Sequence, residues 1–133
     1  MAALTQDRNT AEREGSEFHH PVAAGVIIYA GALVVLDASG NAAPATTATG
    51  LTPAGRAEEL AGNAGGAAGD VFINTRKGVF QFANDGTIDR ANIGDGAYFV
   101  DDQTLADNDG TGTRSAAGVI VDVDSDGVWL KIS

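Results

Sequence analysis

The sequence predicts a mainly β chain: a small antiparallel β-barrel or β-sandwich with an extended N-terminal arm and at most one short helix. Three observations predict it. The stretch Gly69 to Ala83 alternates about Gly78, with Val71, Ile73 and Thr75 on one face of a first segment, Phe72, Asn74 and Arg76 on the other, and Phe80 and Phe82 together on one face of a second. Such alternation marks half-buried strands, because successive side chains point to opposite sides. Short apolar runs punctuated by Gly, Asn, Asp and Pro recur about every dozen residues, the beat of a small barrel or sandwich. Residues 1–20, in contrast, are polar, mixed in charge and poor in apolar side chains, and read as an arm disordered when alone.

Taken in order, Thr10 to Glu14 has the length of one helical turn, too short to stand by itself. Phe18 and Pro21 mark the entry into a single domain over 21–133. Val26 to Tyr29 reads as a strand, broken at Gly31 and resumed over Ala32 to Leu36. Asp37-Ala-Ser-Gly-Asn supplies a turn, Ala42 to Ala45 a short return strand, and Gly50 to Glu59 a strand bent at Pro53 and Gly55. Leu60 to Gly69 reads as a flexible Gly/Ala/Asn loop. After the two alternating segments, Asn84-Asp-Gly turns the chain and Thr87 to Ile93 is predicted as a short helix with Thr87 as N-cap and Arg90 exposed. Tyr98 to Asp101 is a strand and Asp107-Asn-Asp-Gly-Thr-Gly-Thr a loop. Ala117 to Val123 and Val128 to Ile132 form a hairpin about Ser125-Asp-Gly, where Asp-Gly suggests a type I′ turn with positive φ. No tandem repeat of solenoid or propeller length is present.

The chain is 133 residues long, with 18 acidic against 8 basic residues and a net charge of −10. Ten of the acids are Asp between Asp85 and Asp126. Duplex nucleic acid carries one negative charge per ~1.7 Å, so a chain this acidic with no basic stripe is not expected to bind it. The charge favours solubility. There is no cysteine, which removes disulfides, thiolate metal sites and thiol catalysis. The opening Met-Ala-Ala-Leu-Thr-Gln-Asp-Arg lacks the apolar core of a secretion signal. The longest apolar run, Val22 to Leu36, is broken by Gly25 and Gly31 and is shorter than the roughly 20 residues that span a bilayer, so no membrane association is expected.

Few motifs carry chemistry. Asp122-Val-Asp-Ser-Asp-Gly opens like a calcium loop, but the twelfth position, where a closing carboxylate is needed, is Ser133, and the flanks are strands. A solvated hairpin accounts for it, with Asp122 and Asp124 outward and Val121 and Val123 inward. Asp107-Asn-Asp-Gly reads as a turn; a weak cation site shared with Asp101 or Asp102 is the other reading. His19-His20 holds the chain's two histidines, which point to opposite sides of an extended segment and lack further ligands, so a polar junction is expected. Gly62-Asn-Ala-Gly-Gly-Ala-Ala-Gly has no Gly-Lys-Ser/Thr to hold phosphate. Paired acids imply glycosidase chemistry only in a cleft with aromatic platforms, and the chain has one Trp. No catalytic residue, cofactor or metal is therefore expected.

The chain resembles bacteriophage capsid cement, or decoration, proteins of the DUF2190 type. The residues that carry the resemblance are Asp7-Arg-Asn-Thr, the run Val22 to Asp37, Gly66-Ala-Ala-Gly-Asp-Val leading into Arg76-Lys-Gly-Val-Phe-Gln-Phe-Ala, Ile93-Gly, Tyr98-Phe-Val-Asp-Asp-Gln-Thr-Leu and Ala117 to Asp124. Their order and spacing span nearly the whole chain. The resemblance implies a non-enzymatic viral structural protein, a homotrimeric β-barrel made in the bacterial host cytoplasm. It implies that the protein binds the major capsid protein on the outer surface of the icosahedral virion head and stabilises that head. It also implies that the arm reaches the neighbouring capsid protein.

Within that reading, Leu4, Arg8, Arg13, Phe18 and Pro21 are the candidate capsid-binding residues of the arm: Leu4 and Phe18 as apolar anchors, with ion pairs fixing register. Deleting residues 1–17 is expected to leave a folded barrel that no longer binds heads tightly. The light aromatic content suggests a core completed at a subunit interface, and Trp129 and Phe82 are expected in core or interface. The competing readings are a carbohydrate- or receptor-binding β module of a phage head or tail fibre, and a metal-dependent hydrolase built on clustered Asp.

Overall fold

A computed structural model describes residues 2–11, 13 and 15–133. Twelve strands and one short 3-10 turn are present among them: β1 (Glu17–Pro21), β2 (Ile27–Ile28), β3 (Leu33–Leu36), β4 (Ala42–Pro44), β5 (Thr52–Ala57), β6 (Ala61–Gly62), β7 (Phe72–Arg76), β8 (Gly78–Asn84), the turn η1 (Arg90–Asn92), β9 (Gly96–Phe99), β10 (Thr104–Ala106), β11 (Ala116–Asp124) and β12 (Gly127–Ile132). The mainly β expectation holds, and the barrel is real: β10-β8-β12-β11-β9 closes on itself. A five-stranded sheet, β1-β7-β5-β3-β4, lies beside it, and β2 pairs with β6 as a separate ribbon.

The alternating segments about Gly78 are β7 and β8, and they belong to different sheets. β7 ends between β1 and β5, Lys77 and Gly78 cross over, and β8 enters the barrel. Ile73 and Thr75 are buried, whereas Phe72, Asn74 and Arg76 are exposed; Phe80 and Phe82 both point into the barrel. The hairpin β11–β12 forms where expected. Barrel pairings are antiparallel except at β10–β8, which is parallel. That geometry requires a crossover, provided here by the segment that carries η1 and β9.

Two cores result. Phe80, Phe82, Phe99, Leu105, Ile120 and Leu130 fill the barrel, joined by Leu33 and Val35 of β3. Val22, Ile28, Ala42 and Ile73 form the second core with Val34. β3 thus feeds both, which is why Leu33-Val-Val-Leu is a continuous apolar run instead of an alternating one: a strand covered on both faces has no polar side.

Several expectations are corrected. Leu60 to Gly69 is an ordered segment: Ala61 and Gly62 pair with β2, and buried Asn63 donates through Nδ2 to the carbonyls of Ala23 at 2.9 Å and Ala67 at 3.0 Å. One buried amide replaces the apolar anchors that the sequence lacks there. The helix over Thr87 to Ile93 shrinks to η1, capped by Asp89, whose side chain accepts from the Ala91 N–H at 2.8 Å. Thr87 instead accepts from the Asp107 N–H. Among the described residues only Thr111 is a non-glycine with positive φ, so the β11–β12 turn is not type I′; Asp124 Oδ1 holds it by accepting from the N–H groups of Asp126 and Gly127. A bulge between Ile120 and Asp122 turns Val121 outward, against the inward placement expected from strict alternation. Trp129 lies half-buried on the outer barrel face opposite Gln81 and Asp122 and is not a core residue. Of the helical turn at Thr10 to Glu14, Glu12 and Glu14 lie outside the described residues, and Thr10, Ala11 and Arg13 are irregular.

Candidate binding surface

The boundary between arm and body falls earlier than residue 20. Glu17 to Pro21 form β1, paired antiparallel with β7 from Glu17↔Arg76 to Pro21↔Phe72. The exposed irregular segment is Ala2 to Ala11. Leu4 is 72% exposed. Arg8 is exposed as well, its carbonyl accepting from the Thr10 N–H at 3.1 Å. The structure therefore does not gather the five arm residues into one site. It does bring Arg13 to Phe18, with the guanidinium carbon 5.2 Å from the ring centroid, while Lys77 Nζ approaches the same ring at 5.1 Å. Two cations on one half-buried ring keep β1 anchored at its start. Pro21 closes the strand.

Around β1 lies a cleft of about 460 Å³, lined by Arg13, Glu17, Phe18, His19, Glu58, Glu59, Asn74 and Thr75. Its geometry is set by Asn74. The Asn74 main-chain N–H donates to Glu59 Oε1 at 3.0 Å and its Nδ2 donates to the same oxygen at 3.1 Å. The amide oxygen is then left to accept from His19 Nδ1 at 2.8 Å, which places the ring proton on Nδ1. The His19 ring stacks on Phe72, centroids 5.0 Å apart. Sequence reading treated His19 as a junction residue; its fixed tautomer depends on Asn74 and Glu59, 55 and 40 positions away (74 − 19 and 59 − 19), and no local pattern signals that.

His20 sits on the opposite face of β1, stacked against Phe18. Burial, then the charges of Lys77, His19 and Arg13, hold its pKa below the ordinary 6.5. The folded state thus favours the neutral ring and binds fewer protons than the unfolded chain. Its contribution is fully present above 6.5 and is lost as pH falls through 6.5 and then through the lower folded value. The melting temperature of His20→Gln is expected to fall less steeply than that of the parent as pH is lowered below 6.5. Parallel pH–melting curves for the two would overturn this assignment.

The acidic C-terminal hairpin uses two of its carboxylates, those of Asp122 and Asp124, internally. Asp122 Oδ1 lies 3.0 Å from Arg90 Nη1, and Asp124 Oδ2 accepts from Trp129 Nε1 at 3.0 Å. That indole bond, followed by the Asp126 N–H, holds the Asp124 carboxyl below its ordinary range. Among the described residues no group of three or more His, Cys, Asp or Glu is arranged to hold a metal ion, and no helix is long and apolar enough to cross a membrane.

Two apolar surfaces are open. Ile27, Tyr29 and Leu60 emerge on one side of the β2–β6 ribbon, where continuing the register sets Tyr29 across from Leu60. On the outer barrel wall Val79 and Val119 flank Lys131, with Val121 further along β11. No family model, no curated protein and no solved structure matches this chain.

Proposed function

We propose that this chain is a non-enzymatic capsid cement protein that binds the major capsid protein on the outer surface of a bacteriophage head and stabilises the shell, working as a homotrimer. The observation that supports this best is the pairing of a compact barrel with the exposed segment Ala2 to Ala11, which among the described residues makes one hydrogen bond, Thr10 N–H to the Arg8 carbonyl. A segment so poorly anchored costs little to reorder, and it gains order by adding to a partner's surface. The exposed valines of the barrel wall, Val79 and Val119 on either side of Lys131 and Val121 further along β11, support self-association, because exposed apolar side chains grouped on one face mark contact surfaces. Several copies seated over one seam would multiply modest contacts. The family resemblance adds the identity of the partner, the virion location and synthesis in the bacterial cytoplasm. The net charge of −10 speaks against a nucleic-acid partner.

Because Glu17 and Phe18 belong to β1, the informative truncation removes residues 1–15 and spares the strand. The truncated chain is expected to fold and to lose most co-sedimentation with undecorated heads, whereas the intact chain sediments with them at moderate salt. Equal co-sedimentation of both would move the contact to the barrel. Failure of the intact chain to sediment would overturn the cement reading. A carbohydrate- or receptor-binding role has one observation in its favour, the 62% exposed Tyr29. Its neighbours Leu60 and Ile27 are apolar, which suits a protein contact better than a sugar platform with polar partners.

A further inference from the structure

Four Asp-Gly pairs occur in the chain: Asp85-Gly86, Asp95-Gly96, Asp109-Gly110 and Asp126-Gly127. This dipeptide rearranges readily, because glycine puts no side chain in the way when its amide nitrogen approaches the preceding carboxyl carbon. The sequence treats the four alike; the structure does not. In three of them an Asx side chain earlier in the turn accepts from the glycine N–H: Asn84 Oδ1 from Gly86 at 2.8 Å, Asn108 Oδ1 from Gly110 at 3.0 Å, and Asp124 Oδ1 from Gly127 at 3.2 Å. The Asp85 carboxylate is engaged as well, accepting from the Thr87 N–H at 2.9 Å and from the Thr87 hydroxyl at 2.6 Å. Gly127 is also buried.

Asp95-Gly96 is the exception. Both residues are exposed, where a bend joins η1 to β9. Val100 N–H donates to the Thr104 carbonyl and Phe99 N–H to the Ser115 carbonyl, so along this stretch the even-numbered residues direct their main-chain groups at β10 and the odd-numbered ones at β11. β10 reaches only Tyr98 and Phe99, and Gly96 N–H therefore points past its end. Among the described residues this N–H has no acceptor and the Asp95 carboxylate no donor. Nucleophile and electrophile are both unengaged here and at none of the other three pairs.

We propose that Asp95-Gly96 is the chain's site of spontaneous isoaspartate formation, and that the oxygens of Asn84, Asn108 and Asp124 latch the other three pairs shut. The Gly96 nitrogen attacks Asp95 Cγ. A bond forms between them, the Cγ–OH bond of the protonated carboxyl breaks, and that hydroxyl leaves with the amide proton as one water. The product is a five-membered succinimide. Water then adds back at either ring carbonyl. Addition at Cγ restores aspartate. Addition at the Asp95 main-chain carbonyl carbon breaks its bond to Gly96 nitrogen; the chain then runs through Cγ, one carbon longer, and the former carbonyl becomes a free carboxylate. No oxidant, reductant or cofactor enters. That carbonyl is the one that accepts from Ile120 N–H at 2.9 Å, and Ile120 is fully buried in the barrel. The modification therefore loosens β9 from β11, next to the Gly94 N–H bond to the Ile120 carbonyl.

The inference needs no partner and holds whatever the protein binds. The full chain is incubated for weeks in warm neutral buffer, digested, and its peptides mapped with an isoaspartyl methyltransferase that labels the rearranged residue. Asp95 is expected to carry about tenfold more isoaspartate than any of the other three, since one ordinary hydrogen bond suppresses the open form by up to that factor. In urea the four are expected to react at comparable rates, because the latches are gone. Asn108→Ala frees the Gly110 N–H and is expected to bring Asp109 up to the level of Asp95. Gly96→Ala is expected to remove most of the signal at Asp95; the nearest atom to its Cβ position is the Gly118 carbonyl oxygen at 3.8 Å and its φ is not positive, so the fold accepts it. In the aged parent, amide exchange at Ile120 is expected to quicken in step with the isoaspartate at Asp95. Isoaspartate shared evenly among the four pairs of the folded chain, or concentrated at any pair but Asp95, overturns the proposal. So does an Asp109 that stays unreactive in Asn108→Ala. Should that variant fail to fold, the ratio of Asp95 to the other three in the folded parent, set against the ratio in urea, decides it.

Discussion

Replacing Phe99 with alanine is expected to lower stability by about 3–5 kcal/mol, measured by chemical denaturation. Phe99 is fully buried and is the largest fully buried side chain among the described residues. It belongs to β9, which β10 and β11 flank on either side. The barrel interior holds three phenylalanines, Phe80, Phe82 and Phe99, among mostly smaller side chains. A closed barrel cannot collapse onto the space left by a missing ring without breaking a ladder, so the cavity term is felt nearly in full. A domain of this size typically has about 5–15 kcal/mol in total, and the substitution is thus expected to remove a large fraction of it. A loss below about 1 kcal/mol would show that the barrel wall can yield, and that its closure is looser than the pairing implies.

The parts of the fold legible in the sequence are those whose pattern is local. The alternation of Phe72 to Arg76 and of Val79 to Phe82 marks β7 and β8 because one face of each is wet. The acidic Asp124-Ser-Asp-Gly turn marks the β11–β12 hairpin because Asp124 can hold the turn by itself. Long-range features were not legible. Ala61 and Gly62 carry no strand signal; they pair with β2 because Asn63 fixes the following loop to the Ala23 carbonyl, 40 residues earlier. The outward Val121 follows from a bulge, which shifts alternation without leaving a mark in residue type. Trp129 reads from the sequence as core or interface; it lies outside the core because its polar edge bonds Asp124 on the wet side.

The binding surface was legible in part for the same reason. Phe18 and Arg13 stand out as an aromatic and a cation in a polar stretch, and the fold does bring them together. The boundary at residue 20 was misplaced because Glu17-Phe-His-His-Pro has only one strong strand former. It becomes a strand through the ladder that β7 offers, a case of tertiary pairing overriding weak propensity.

That dependence of β1 on β7 underlies the second large effect: Gly55→Ala is expected to cost about 3 kcal/mol or more and to loosen β1 before the barrel. Gly55 has φ of +123°, a conformation that side chains rarely adopt. An added Cβ would lie 2.5 Å from the Arg76 carbonyl oxygen and 2.8 Å from its carbon. Both are main-chain atoms, held in place by the Arg56↔Arg76 and Ala57↔Thr75 pairs. The glycine is required because β5 bulges here: Val34 faces Gly55 and Val35 faces Pro53, so Ala54 is the extra residue. Relief of the clash must push β7 away from β5. Arg56 and Arg76, which lie over the Phe80 ring at 4.3 and 5.7 Å, would lose their shared seat, and Arg56 its 2.7 Å bond to Glu58. Among the described residues β7 is the one strand that pairs along β1, and the only other tie is the single bridge Val22↔Ala42 to β4 just past its end. Hydrogen exchange at the Phe18 and His20 amides, which face β7, is therefore expected to accelerate more than at Leu130 or Ile120 in the barrel. Gly62→Ala is the control: nothing lies within 4 Å of its Cβ position and its φ is not positive, so a change within about ±0.5 kcal/mol is expected. Equal acceleration in sheet and barrel would mean that the two cores unfold as one unit, and that β1 is tied to the barrel more tightly than its single ladder implies.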